Sequence, residues 1–307
     1  MRYLIIFLAF FLYAKEIINP IPKTIPINLK KAKLGYLLFI DPNLSRDKKI
    51  ACISCHKPNE GWADKNPVSI GVFGKKGYIQ SPTILNSGFN FRQMWNGKAK
   101  DLKDQVKFPL NNHHEMDFPP KKVEKYINSI PKYKKMFLEI YNKSPVTFEM
   151  IADAIAEFEK GMITPDSKFD LYLKRKTKLT KIEKEGYKLF KIKGCIICHN
   201  GVNIGGNTYQ RFGALNEYKN CQEDRYEITH DPFDKCVYKV PTLRNIALTA
   251  PYFHDGSAKN LEDAIQTMAY YNLGYYLEKD KVKAIEAFLK TLTSTKIFIL
   301  KVLNESN

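Results

Sequence analysis

Two short runs in this chain carry the same chemistry: Cys52-Ile53-Ser54-Cys55-His56 and Cys195-Ile196-Ile197-Cys198-His199. In a C-x-x-C-H run two thiols stand where they can bond the two vinyl carbons of one haem, and the next imidazole can ligate its iron. A thioredoxin-like redox pair and half of a zinc site use similar spacings. The redox pair belongs in a βαβ setting, which the surrounding pattern lacks. Zinc wants four ligands per site, and each run brings three. The expectation is haem c attached covalently at both runs, with His56 and His199 as the proximal ligands.

The elements that must position these groups come as a repeat. Gly35-Tyr36-Leu37-Leu38-Phe39 precedes the first run and Gly186-Tyr187-Lys188-Leu189-Phe190 the second. Pro82-Thr83-Ile84-Leu85-Asn86 matches Pro241-Thr242-Leu243-Arg244-Asn245, and Trp95-Asn96-Gly97 matches His254-Asp255-Gly256 at the same offset. Each half closes on an amphipathic helix, around Ile151 to Phe158 and Val282 to Leu289, with apolar residues at spacings of three and four. The implied architecture is mainly α: two cytochrome c-like helical domains with long loops. Residues 15–165 form the first, residues 166–307 the second, and Thr164-Pro165-Asp166-Ser167 breaks the chain between them.

The repeat also separates the two sites. Met268 follows a helical stretch in the second half, and a thioether opposite His gives a low-spin haem of raised potential; a lone Met otherwise packs a core. Its first-half counterpart is Pro109, which cannot ligate iron. One haem is then closed by His199 and Met268, and the other is open to a substrate. Glu115 lies six residues past Pro109, where a carboxyl could move protons during O–O cleavage; the alternative is an ordinary surface carboxylate.

The remaining features set the compartment. Residues 1–14 read as an export signal: Arg2, then an apolar run too short to span a bilayer, ending at Ala14. The product is periplasmic. Cys221 and Cys236 fit a disulfide closing a loop of about 15 residues, worth roughly 3 kcal/mol, or two free thiols. The composition is globular, with 44% hydrophobic residues and a net charge of +17. Export argues against nucleic acid as the partner of that charge. A solvated basic surface accounts for it, and docking of a redox partner is the alternative.

Together these residues resemble the bacterial di-haem cytochrome c peroxidases, a family that includes MauG-like proteins. The resemblance runs from about Ala32 to Leu292. It rests on Ser81-Pro82-Thr83-Ile84-Leu85-Asn86, Trp95-Asn96-Gly97, His114-Glu115-Met116 and, above all, Ala250-Pro251-Tyr252-Phe253-His254-Asp255-Gly256. It implies a peroxidatic haem in the first domain and an electron-transfer haem in the second. Glu115 is then the acid–base group, Gln105 a distal amide, Trp95 an indole between the haems and Met268 the axial ligand. A calcium ion is implied at the backbone carbonyls of Thr249 and Pro251, with Gln80 standing where the family has Asn. A homodimer and a small periplasmic cytochrome c donor are implied too. Many members carry a removable distal His in a Ser-Ile-Gly-His segment; this chain reads Ser69-Ile70-Gly71-Val72. The first haem is therefore expected to be open without reductive activation, unless His113 or His114 takes the vacant position. The expected activity is reduction of hydrogen peroxide to water. A MauG-like oxidase of another substrate, a plain di-haem electron carrier and a peroxide sensor are the rivals.

Overall fold

The computed structural model describes residues 17–305; the expected export signal lies outside the described residues. The helix Leu29–Phe39 begins where the Asn28 side chain accepts from the Lys31 amide at 3.1 Å. It lies against the helix Phe148–Lys160, so closely that a Cβ on Gly35 would run into the Ala154 carbonyl. The second half repeats the arrangement. The helix Lys181–Ile192, closed by a capping box of Thr180 and Glu183, packs on Lys279–Lys290, and Gly186 meets the Ala284 carbonyl. Only glycine allows two helices to approach in this way.

The repeat extends into the loops. Asp101 caps the short helix Leu102–Gln105 by accepting from the Asp104 amide, and Asn260 caps Leu261–Met268 by accepting from the Asp263 amide. Asn86 and Asn245 both stand in the left-handed region, at φ 61°. Their side-chain amides both donate to the Thr164 hydroxyl, each at 2.8 Å. One buried oxygen at the break between the halves thus ties the matching loops together.

Two hydrophobic cores result. One gathers Leu34, Leu38, Phe39, Ile151, Phe158 and their neighbours. The other gathers Phe169, Tyr187, Phe190, Ile285, Phe288 and theirs. The chain ends exchange sides. Ile18 belongs to the second core, while Ile299 and Leu303 of the helix Phe298–Glu305 belong to the first. The early segment is pinned by a buried pair, Arg244 to Asp170 at 2.7 Å, whose free ends hold the Asn19 carbonyl and the Ile21 amide.

Strand structure is slight, as the sequence pattern suggests. Tyr209–Arg211 and Val237–Lys239 form an antiparallel pair, with Tyr209 opposite Lys239. Cys221 and Cys236 in the loop between these strands are joined as a disulfide, their Cα atoms 5.1 Å apart. No described helix is long and apolar enough to cross a membrane.

Candidate functional site: two thiol–imidazole cavities with a common wall

Each C-x-x-C-H run forms a single helical turn, Cys52–Cys55 and Cys195–Cys198, with the His as its C-cap. The turn brings both thiols and the imidazole onto one cavity. Cys52, Cys55 and His56 line the first, of about 150 Å³ measured at water-molecule centres. Cys195, Cys198 and His199 line the second, of about 330 Å³ by the same measure.

Burial sets the ionisation of these groups. Burial pushes the Cys55 thiol up to about 12 and Cys195 to about 11, and raises Cys52 and Cys198 as well. Each run supplies two thiols and one imidazole to its cavity, one ligand short of a closed zinc site. Among the described residues no cluster of three or more His, Cys, Asp or Glu side chains could hold a metal ion. Burial also depresses His56 and His199 to about 4, so both imidazoles are neutral near pH 7 and available as nitrogen ligands. Their Nδ1 atoms are buried without a hydrogen-bond partner of normal geometry. Two thiols, a neutral imidazole and a largely apolar cavity wall fit haem, whose vinyl carbons the thiols would add to.

The two cavities differ at the positions that the repeat pairs. Met268 ends its helix and lines the second cavity. The chain then runs into a π-helical turn, Ala269–Leu273, a device frequent at functional sites that leaves no mark in the residue pattern. Pro109 lines the first cavity in the corresponding place. Glu115 and Gln105 line the first cavity too. Asn112 donates to Glu115 Oε1 at 2.7 Å, and burial holds the Glu115 carboxyl above the usual range despite this bond.

His113 and His114 turn elsewhere. His113 is exposed with Nδ1 2.6 Å from Asp117 Oδ1. His114 lies between Tyr78 and the Lys76 carbonyl. Neither lines the first cavity, so no imidazole here takes the position that Val72 leaves. Val72 itself is buried, its amide donating to the Glu115 carbonyl at 2.8 Å. Gly71 is packed so tightly on the His114–Glu115 backbone that any side chain would displace it.

Trp95 lines both cavities. Its indole Nε1 donates to the Gln80 carbonyl at 2.9 Å and its ring meets His254 edge-on, centroids 6.3 Å apart. Gln80 also lines both cavities, and Thr249 and Pro251 line the second. The Gln80 amide nitrogen is engaged by the Asp64 carbonyl, which leaves its oxygen as an acceptor.

Three charged groups of the cavities went unread in the sequence. Glu223, two residues past Cys221, reaches the first cavity from the second half and pairs with Lys98 at 3.9 Å. Lys239 is buried on the second cavity. Glu159 is buried on the first and is pushed up to about 8 by burial alone. Its counterpart on the matching helix is Leu289, whose phase follows from Gly35–Ala154 and Gly186–Ala284.

Glu159 yields a stability prediction. Its folded pKa lies above its ordinary 4.5, so the folded state keeps a proton that the unfolded chain sheds. Stability therefore falls as pH climbs from about 4.5 to about 8, by an amount on the order of a few kcal/mol. Glu159→Leu should flatten that slope and raise the denaturation midpoint at pH 8 more than at pH 5. Equal shifts at both pH values would assign the effect to packing.

Two matched thiol–imidazole cavities on a repeated helical frame, with one indole lining both, define a mainly α, cytochrome-like fold. The comparisons with known proteins agree. The di-haem cytochrome c peroxidase family model matches residues 29–178. The chain is 45% identical to a cytochrome c551 peroxidase of Nitrosomonas europaea, over 96% of this chain and 89% of that one. It is 40% identical to a cytochrome c551 peroxidase of Pseudomonas aeruginosa, over 91% and 85%. A crystal structure of a MauG-like protein associated with microbial copper homeostasis superposes with a TM-score of 0.79 at 28% identity, covering 92% of this chain and 95% of that one. The chain belongs to the di-haem cytochrome c peroxidase family.

Proposed function

We propose that the chain reduces hydrogen peroxide to water in the periplasm, drawing electrons from a small cytochrome c, with one haem c attached covalently in each half. The observation that carries this reading is the asymmetry of the cavities: Met268 faces the second, and Pro109 with Glu115 the first. The relatives' names as cytochrome c551 peroxidases support the same activity.

Cys52, Cys55 and His56 would hold one haem, and Cys195, Cys198, His199 and Met268 the other. When bound, the haems supply the iron at which peroxide is reduced and the one-electron relay that feeds it. The balance is one peroxide, two electrons from two reduced cytochromes and two protons, giving two waters.

Glu115 takes a proton from the near oxygen of peroxide and returns it to the far one, so that water leaves instead of hydroxide. Burial suits it to that work, because a carboxyl raised above its usual range takes up a proton more readily and holds it nearer neutral pH. Asn112 holds Oε1, leaving Oε2 for the substrate. Gln105 hydrogen-bonds peroxide from the same wall. Trp95 provides the indole through which the two cavities communicate. A calcium ion would take the Gln80 oxygen with the carbonyls of Thr249 and Pro251, stiffening the common wall. The protein acts as a homodimer on this reading.

The test is steady-state consumption of peroxide with a reduced cytochrome c. Stoichiometric oxidation of two cytochromes per peroxide is expected; peroxide loss without cytochrome oxidation would show a catalase-like or oxidase chemistry instead.

A further inference from the structure

The two cavities differ in charge as well as in ligands. The charged side chains lining the first are Glu115, Glu159, Glu223 and Lys98, three carboxylates against one cation. Among the described residues lining the second there is no Asp or Glu; its charged groups are Arg211 and Lys239.

Lys239 is the unusual one. It is 7% exposed, on the strand Val237–Lys239, with its amide donating to the Trp95 carbonyl at 2.8 Å. Among the described residues no hydrogen bond or ion pair engages its ammonium, and burial alone depresses it, to about 8. An ammonium held on a largely apolar cavity wall without an anion is costly. Protein interiors retain such a group where something supplies the counter-charge. Arg211, on the paired strand opposite Val237, is half-buried and lines the same cavity, one of its nitrogens donating to the Phe233 carbonyl at 2.6 Å.

We infer that Lys239, assisted by Arg211, binds a carboxylate side arm of the haem in the second cavity and by its positive charge raises that haem's potential. The inference rests on the di-haem reading above. Haem carries two propionate arms, and the second cavity provides cations and no carboxylate for them to meet. The placement of Lys239 beside Trp95 puts this contact on the wall common to both cavities.

The electrostatic sign is fixed. Oxidation adds one positive charge to the iron, which a nearby ammonium opposes, so the reduced state gains. Among the described residues around the first cavity the single cation, Lys98, is paired with Glu223, so no unpaired positive charge faces that site. The chain thus adds a charge difference to the ligand difference, and both favour electron arrival at the second haem.

The experiment uses the holoprotein with Lys239→Met and Lys239→Arg. Intact mass counts the attached haems, and optical redox titration reads the midpoint of the low-spin haem. Lys239→Met should retain two haems with that midpoint shifted to lower potential, and Lys239→Arg should restore most of the shift. An unchanged midpoint in Lys239→Met with both haems attached overturns the inference. So does an equal shift in both variants, which would reflect packing and not charge. If Lys239→Met fails to hold two haems, a Lys239→Arg protein with both haems at the wild-type midpoint supports it, and failure of both variants alike overturns it. A wild-type protein with fewer than two haems by mass overturns it together with the di-haem reading, and the mass tells that case apart from the midpoint results.

Discussion

Replacing Glu115 with Gln should lower peroxide turnover by roughly 10²–10⁴-fold, the range that a positioned acid–base group contributes. The amide keeps the size and the hydrogen bond from Asn112 can be accommodated by its oxygen, so the cavity survives while the proton carrier is lost. Both haems should remain, with unaltered spectra of the low-spin centre. Turnover within a few-fold of wild type would remove Glu115 from the mechanism. A Gln105→Leu variant should lose less, because it orients the substrate without carrying a proton. The same burial that raises the Glu115 carboxyl implies that the limb of the rate profile controlled by this group lies above the range of an exposed Glu.

The second large effect concerns activation. The fully oxidised protein should turn over peroxide at its full rate without prior reduction, and its EPR spectrum should contain high-spin ferric haem. The physical reason is that the segment Ser69-Ile70-Gly71-Val72 offers no ligand, and both nearby imidazoles are committed elsewhere: His113 to Asp117, His114 to Tyr78 and the Lys76 carbonyl. The Val72 amide is bonded to the Glu115 carbonyl, so this segment is already seated against the backbone of the acid–base group. A spectrum of low-spin species only, or a long lag abolished by pre-reduction, would sink the prediction. Val72→His tests it from the other side: an introduced imidazole that reaches the iron should make turnover depend on reduction.

Much of this was legible in the residue order because the molecule repeats itself. A Gly-aromatic helix before each thiol run, an Asx cap at Asp101 and Asn260, and a left-handed Asn at 86 and 245 are local devices. Local devices leave a mark in sequence. The contrast of Met268 with Pro109 could be drawn by subtraction, and the structure puts both on their cavities. The groups that escaped are those whose role depends on long-range placement. Lys239 reads as one more surface lysine in a chain rich in them, and only the pairing of its strand with Tyr209–Arg211 buries it. Glu223 is brought over the first cavity by a loop from the other half, tethered by Cys221–Cys236. Glu159 sits on a helix stripe otherwise apolar, where periodicity predicts its burial but not that a cavity awaits it. The crossing of the chain ends could not be read either, since short apolar segments carry no record of which core receives them.

That crossing has a mechanical outcome. The first described residues are clasped by Arg244 and Asp170 of the far half, and the final helix donates its amides at Phe298 and Ile299 to the carbonyls of Ile163 and Gly161. Each lobe is strapped by the other lobe's tail. Neither can melt without releasing a strap that its sibling needs, so the pair should denature as a single cooperative unit. The spacing of the two cavities is then held by belts fastened in opposite directions, and thermal breathing of one lobe alone is opposed by the other.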